Sequence, residues 1–452
     1  MFPYPPIPQL TAAMRSGELS PLELLDRCLE QIDRLEPAVR AWVAVDRDGA
    51  QAAAEQIAKR LAEGDRVGSL CGIPVGIKDI IDVAGSPTKA GSPLRDDHVA
   101  EADADLVERL RAAGAIILGK TVTTQYASFD PPRTRNPWNL NHTPGGSSSG
   151  SAAAVATGMC VAAVGTQTGG SIIRPATYCG VAGAKPNIGR ISTAGVVPLS
   201  FTLDHAGPIA RRVSDLTVML HVMSGSELGE SLWRYEPADG YASAAAHEEV
   251  LPRLGRLSPY FWERGDPETL ALVDAVLEQC EAAGAKLSEA ALPASFDSVH
   301  EHHLCVMAVE AAAYHQPAYE RSPAEYGPAI GKLLDQGLGT SAVDYARALS
   351  HRRDFRHQIL HSFEGCDVLM TPAAPGPAPG PETTGDPSFN SPWSYCGLPT
   401  VSIPIGLTSA GLPVALQLIG RPWSEVALLA TALWVERLLA LELVPAEPDP
   451  AG

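Results

Sequence analysis

Positive charge is scarce in this chain of 452 residues: Lys and Arg number 34 against 52 Asp and Glu, leaving −18 at pH 7. A chain so acidic repels a phosphate backbone, which excludes nucleic acid as the expected partner. Long apolar runs are lacking too. The nearest, Ala152 to Val164, is broken by Thr157 and Gly158 and falls short of the roughly 18 residues a membrane-crossing helix needs. Cysteines are few and dispersed, at 28, 71, 160, 179, 280, 305, 366 and 396, with no CxxC pair. That pattern argues against a disulfide framework and against a structural zinc site. The opening Met1-Phe2-Pro3-Tyr4-Pro5-Pro6 has no basic stretch followed by an apolar one, so no secretory signal is read and the cytoplasm is the expected location. What is plentiful is apolar material, 45% hydrophobic against 19% charged residues, the balance of a folded globular protein.

Local patterns give an α/β reading. Ser20-Pro21-Leu22-Glu23 joins an N-cap Ser, Pro in the first turn and Glu as its reciprocal partner, and predicts a helix to about residue 36. Helices over about 49–63 and 104–113 end at Gly64 and Gly114, and the apolar runs 73–77 and 115–118 read as buried strands. Residues 225–360 read as helical, 371–392 as a Pro- and Gly-rich loop, 400–405 and 414–419 as strands, and 425–439 as a last helix. The simplest architecture is α/β, one sheet interrupted by a helical insertion.

Several short patterns carry little chemistry. Gly114 to Thr121 matches the letters of a phosphate-binding loop, but its middle is an apolar strand. Gly146-Ser147-Ser148-Ser149-Gly150 matches a nucleophile elbow without a buried strand before it, and Ser86-Pro87-Thr88-Lys89 lacks its partner motifs. His300, His302 and His303, with Glu301, Cys305, Glu310 and His315 nearby, lack metal-ligand spacing and read as a helix surface, so no metal is expected.

Residues 144–186 differ. Gly/Ser clusters at 145–151 and 169–171 flank a run of small residues, and such turns bring backbone amides together on a ligand atom at little steric cost. A serine there needs a base. Lys78 sits in the run Gly72-Ile73-Pro74-Val75-Gly76-Ile77-Lys78-Asp79. It either snorkels to water, as long charged chains usually do, or is buried with a lowered pKa. Strand alternation points Asp79 to the opposite face, so Asp79 need not hold Lys78 as a cation.

With those motifs in hand, the chain resembles the amidase signature family, hydrolases built on a Ser-cisSer-Lys triad. The likeness rests on GIPVGIKD, NPWNLNHTPGGSSSGS, GTQTGGS, Gly397-Leu398-Pro399, Gly411-Leu412-Pro413-Val414 and Gln417, and covers mainly 65–215 and 365–422. It implies Ser171 as nucleophile, Ser147 as cis-serine and Lys78 as base, with amides of Thr168, Gly169, Gly170 and Ser171 forming an oxyanion hole. It implies a single α/β domain over 1–452 with a mixed central sheet flanked by helices on both faces, a catalytic core in 65–215, a variable helical region at 225–360 bordering the substrate pocket, and no metal or organic cofactor. The expected substrate is a small-molecule amide or carbamate, with esters and anilides also accepted and a urethane-cleaving branch as the nearest likeness; both a monomer and a homodimer fit. Gln167 replaces the usual acid of GTDTGGS, and Arg174 stands one position later than usual. Both departures, with the acidic charge, weigh against a tRNA-dependent amidotransferase subunit. That alternative, a carboxybiuret-hydrolase-type subunit that likewise needs a partner chain, and a silent binding protein stay open.

Overall fold

The computed structural model describes residues 4–65, 67–225 and 251–447. Its framework is one mixed sheet of 11 strands. In chain order these are β1 Trp42–Val45, β2 Pro74–Lys78, β3 Ile116–Thr121, β4 Ala162–Gln167, β5 Ala182–Lys185, β6 His205–Ala210, β7 Arg253–Leu257, β8 Lys286–Ala290, β9 Val368–Pro372, β10 Thr400–Leu407 and β11 Pro413–Ile419. Across the sheet they run β1-β3-β2-β4-β6-β5-β10-β11-β9-β7-β8. β2 lies parallel to both β3 and β4, and β7 lies parallel to β8 and β9. The pairings from β4 through β6, β5, β10 and β11 to β9 are antiparallel.

The first helix reading holds in detail. Ser20 Oγ accepts from the Leu22 amide at 3.2 Å, and Glu23 returns a bond to the Ser20 amide at 2.8 Å. The helix Pro21–Val39 runs three residues past the expected end, carrying Pro37 in its last stretch. The helices Arg47–Ala62, Asp105–Ala112 and Glu425–Leu439 also lie where the periodicity puts them.

The insertion reading needs correction. β7 and β8 lie inside the stretch read as helical and extend the same sheet at one edge. Their sequences, RLGRL and KLSEA, hide this because charged residues occupy their exposed positions. Lys and Glu on an edge strand discourage pairing with another chain, and they erase the apolar signal of a strand. β5 and β6, AGAK and HAGPIA, escape the pattern too, since small residues replace the β-branched ones that mark strands. Close packing demands the small residues. The helix Ser149–Ala156 is wholly buried, and a β-carbon on Gly150 would stand 2.1 Å from the Ala41 carbonyl oxygen and 2.4 Å from the Val122 nitrogen.

Candidate functional site

β2 delivers Lys78 at its carboxyl end, into the space between two Gly/Ser segments. Lys78 Nζ lies 2.7 Å from Ser147 Oγ and 2.8 Å from Thr166 Oγ1, with the Thr166 carbonyl at 3.5 Å. Lys78 and Ser147 are fully buried. Snorkelling is therefore wrong for Lys78: two hydroxyls from distant segments take the place of water. Burial pushes its pKa well below the usual lysine value, with the Asp204 carboxylate acting weakly the other way. Asp79 points to the opposite face, as alternation requires, and pairs with Lys120 at 3.1 Å.

The Gly146–Ser147 peptide is cis. Arg174, itself buried, donates from Nη2 to the Gly146 carbonyl at 2.8 Å, so it fixes the peptide ahead of Ser147. Ser171 follows β4 on the Gly169-Gly170 turn and is 8% exposed, the outermost of the three. Its carbonyl accepts from the Ser148 amide at 3.2 Å, which joins the two segments beside Lys78. The amides of Gly169, Gly170 and Ser171 donate to no protein acceptor among the described residues. The turn thus leaves backbone donors without a protein acceptor beside the more accessible hydroxyl.

The departures from the family pattern have physical roles. Gln167 Oε1 accepts from the amides of Ile172 at 2.8 Å and Ile173 at 3.0 Å, and its Nε2 donates to Ser394 Oγ at 3.1 Å. Ser394 in turn donates to the Gly169 carbonyl at 2.8 Å. A neutral amide can both accept from the helix amides and donate to Ser394, which a carboxylate cannot.

The histidine cluster is a helix surface only in part, with Glu301 exposed and His300, His302 and Cys305 half-buried. His303, Glu310 and His315 face inward from the helix Val299–Arg321. His303 Nε2 lies 3.0 Å from the Thr168 carbonyl, and burial lowers its pKa to about 4. Among the described residues, no group of three His, Cys, Asp or Glu side chains is placed to hold a metal ion. Sequence reasoning also missed Asp204, which accepts from the Thr168 hydroxyl and is raised to about 6 by burial. Its one visible signal was an acid directly before a run of uncharged residues, His205 to Ala210. A cavity of about 710 Å³ is lined by Asp79, Lys89, Gln125 and Tyr326 rather than by the Ser/Lys group, so open volume alone points away from it.

The Amidase family model matches residues 23–429. The chain belongs to the amidase signature family. A glutamyl-tRNA(Gln) amidotransferase subunit from Synechococcus sp. (strain WH7803) is 34% identical, covering 97% of each chain. The corresponding protein from Anaeromyxobacter dehalogenans (strain 2CP-C) is 36% identical over 97% of this chain and 96% of that protein. Among solved structures, the peptide amidase of Stenotrophomonas maltophilia superposes with a TM-score of 0.88 at 30% identity, covering 98% of this amidase and 99% of that chain. A 6-aminohexanoate cyclic dimer hydrolase gives 0.87 at 25% identity, with 98% of each covered. This amidase is thus an enzyme of carbon–nitrogen bonds, and among its described residues no helix is long and apolar enough to cross a membrane. The likeness to amidotransferase subunits spans nearly the whole chain, despite the two departures that weighed against them.

Proposed function

We propose that this amidase hydrolyses a small-molecule amide or carbamate through an acyl-enzyme on Ser171. Ser171 Oγ attacks the carbonyl carbon while its proton passes to Ser147 Oγ, whose own proton passes to neutral Lys78 Nζ. The negative charge on the former carbonyl oxygen rests on the amides of Thr168, Gly169, Gly170 and Ser171. The tetrahedral adduct collapses by breaking the C–N bond, and the proton returns from Lys78 through Ser147 to the departing nitrogen. Water then attacks the acyl-enzyme by the same relay. On a carbamate the acyl group is an alkoxycarbonyl, so the products are amine, alcohol and carbon dioxide.

The observation that carries this reading is the 2.7 Å contact between Ser147 Oγ and a buried lysine amine whose neighbours are hydroxyls rather than carboxylates. The test is nitroaniline release from a matched acyl nitroanilide and alkyl N-nitrophenylcarbamate, beside Ser171→Ala. Release that vanishes in the variant supports the reading and ranks the two substrates. Release that persists in Ser171→Ala removes Ser171 from the mechanism.

A second reading, one chain of a multi-chain amidotransferase, is favoured by 34% identity to such a protein over almost the full length. Turnover by the isolated chain at ordinary enzyme rates counts against a need for other subunits. A folded chain that a serine-directed phosphonate fails to label at Ser171 would leave a silent binding protein as the better account.

A further inference from the structure

Both polar groups of Thr168 are tied down by residues outside the Gly/Ser motifs. Its hydroxyl donates to Asp204 Oδ1, and its carbonyl accepts from His303 Nε2 at 3.0 Å. A carbonyl brings no proton, so Nε2 carries the hydrogen. The ring also lies against the turn itself: its Cε1 is 3.5 Å from where a β-carbon on Gly169 would stand. Asp204 is braced in turn, its Oδ2 accepting from the amides of Leu199 at 2.8 Å and Ser200 at 3.1 Å. Glu310, seven residues along the His303 helix, accepts from the Thr202 amide at 2.9 Å and from the hydroxyls of Thr202 and Tyr345, both at 2.8 Å. His303 thus comes from an element whose own position is fixed by a buried network.

The planar peptide converts this contact into chemistry. In a trans peptide the carbonyl of Thr168 and the N–H of Gly169 point in opposite directions within one plane. Holding the carbonyl therefore aims that N–H, and a donor on the carbonyl polarises the amide and strengthens its N–H as a donor. We propose that His303 is a positioning residue for the hydrolytic reaction, orienting and polarising the Gly169 amide through the Thr168 carbonyl so that it meets the developing oxyanion. This rests on the Ser171 reading above and extends it to the helix Val299–Arg321, in the part of the chain where the family motifs are silent.

Two variants separate the hydrogen bond from the packing. His303→Phe keeps the ring's bulk and loses the donor, while His303→Gln keeps an N–H of similar reach. The readouts are kcat, KM, the rate of Ser171 labelling by a serine-directed phosphonate, and thermal stability. His303→Phe should lose about tenfold in kcat and in labelling rate, part of the roughly 10² to 10³ that loss of a whole oxyanion donor costs. KM should stay within about twofold, since an interaction made only in the transition state leaves ground-state binding alone. His303→Gln should recover most of the rate. The proposal is overturned if His303→Phe works like the wild type, or if Phe and Gln lose activity equally while remaining as stable as the wild type. A wild-type chain not labelled at Ser171 overturns the hydrolase reading and this inference with it; a labelled wild type with indifferent variants overturns the inference alone.

Discussion

The two faces of the sheet at the ends of β2 and β3 each bury a lysine, and the two are handled in opposite ways. On one face Lys120 Nζ reaches Asp79 at 3.1 Å, Thr88 Oγ1 at 3.0 Å and the Pro87 carbonyl at 3.1 Å. One of those three partners is a carboxylate, which favours the ammonium form. On the other face Lys78 meets the hydroxyls of Ser147 and Thr166, which can donate as readily as accept, and more distantly the Thr166 carbonyl, and among the described residues no carboxylate pairs with it. Asp204, the acid whose charge reaches it, is engaged with Thr168, Leu199 and Ser200. Burial lowers the proton affinity of both lysines, and at Lys120 alone a carboxylate at contact distance, Asp79, opposes it. On the proposed mechanism, neighbouring strands supply a base and a strut from the same residue type.

Removing the base should have the largest effect. Lys78→Ala should cost about 10⁴ or more in kcat, as loss of a relay member does in serine hydrolases. Lys78→Arg should be equally inactive, because a guanidinium holds its proton at any working pH. For the wild type the sign follows from the lowered pKa: acid protonates the amine and removes the base, so kcat falls as pH drops through the Lys78 pKa and rises as the amine is freed. A pH profile with no acidic limb, or an active Lys78→Arg, would sink the assignment.

On the other face, Asp79→Asn should leave Lys120 as a buried cation without its counter-ion, at a cost of about 3–5 kcal/mol. Asp79→Asn together with Lys120→Met should regain most of that loss. Urea unfolding of the wild type and both variants decides it: a single substitution no worse than the double one would mean that the pair is not a strut.

Thr166→Asp goes further and tries to make the first face resemble the second. A carboxylate at the hydroxyl's position should favour the ammonium form of Lys78, moving the acidic limb of kcat upward by about one to three pH units. Thr166→Asn, similar in size and uncharged, should leave the limb in place. Equal profiles for the two variants would mean that charge is not what separates the lysines.

How much of this was legible in sequence follows the range of the interactions. Lys78, Ser147 and Ser171 stand in dense Gly/Ser or strand motifs, and strand alternation alone placed Asp79 opposite Lys78. Whether Lys78 reached water was illegible, because Ser147 and Thr166 come from 69 and 88 residues away. The same holds for His303, 135 residues from the Thr168 carbonyl it meets. On a helix with polar residues all round, an inward histidine looks like an outward one. β8 escaped for a related reason, its charges answering to an edge position that only the assembled sheet defines, and β7, one strand in, carries Arg at its exposed and half-buried positions.

The smallest expected effect is also a control on the Thr166→Asp comparison. Gln167 follows Thr166 in the chain, yet its side chain turns toward Ile172, Ile173 and Ser394 rather than Lys78. Gln167→Glu therefore adds a carboxylate near the reaction centre without aiming it at the base. The acid still accepts from the two helix amides but no longer donates to Ser394, whose single hydrogen must then choose between the new carboxylate and the Gly169 carbonyl. Either choice loses one hydrogen bond, about 1 kcal/mol, so kcat should fall by about fivefold at most. Ser394→Ala, which removes the donor to Gly169, should fall by a similar amount. The acidic limb should move far less than in Thr166→Asp; a shift of equal size would mean that proximity of charge, rather than its direction, sets the Lys78 proton affinity.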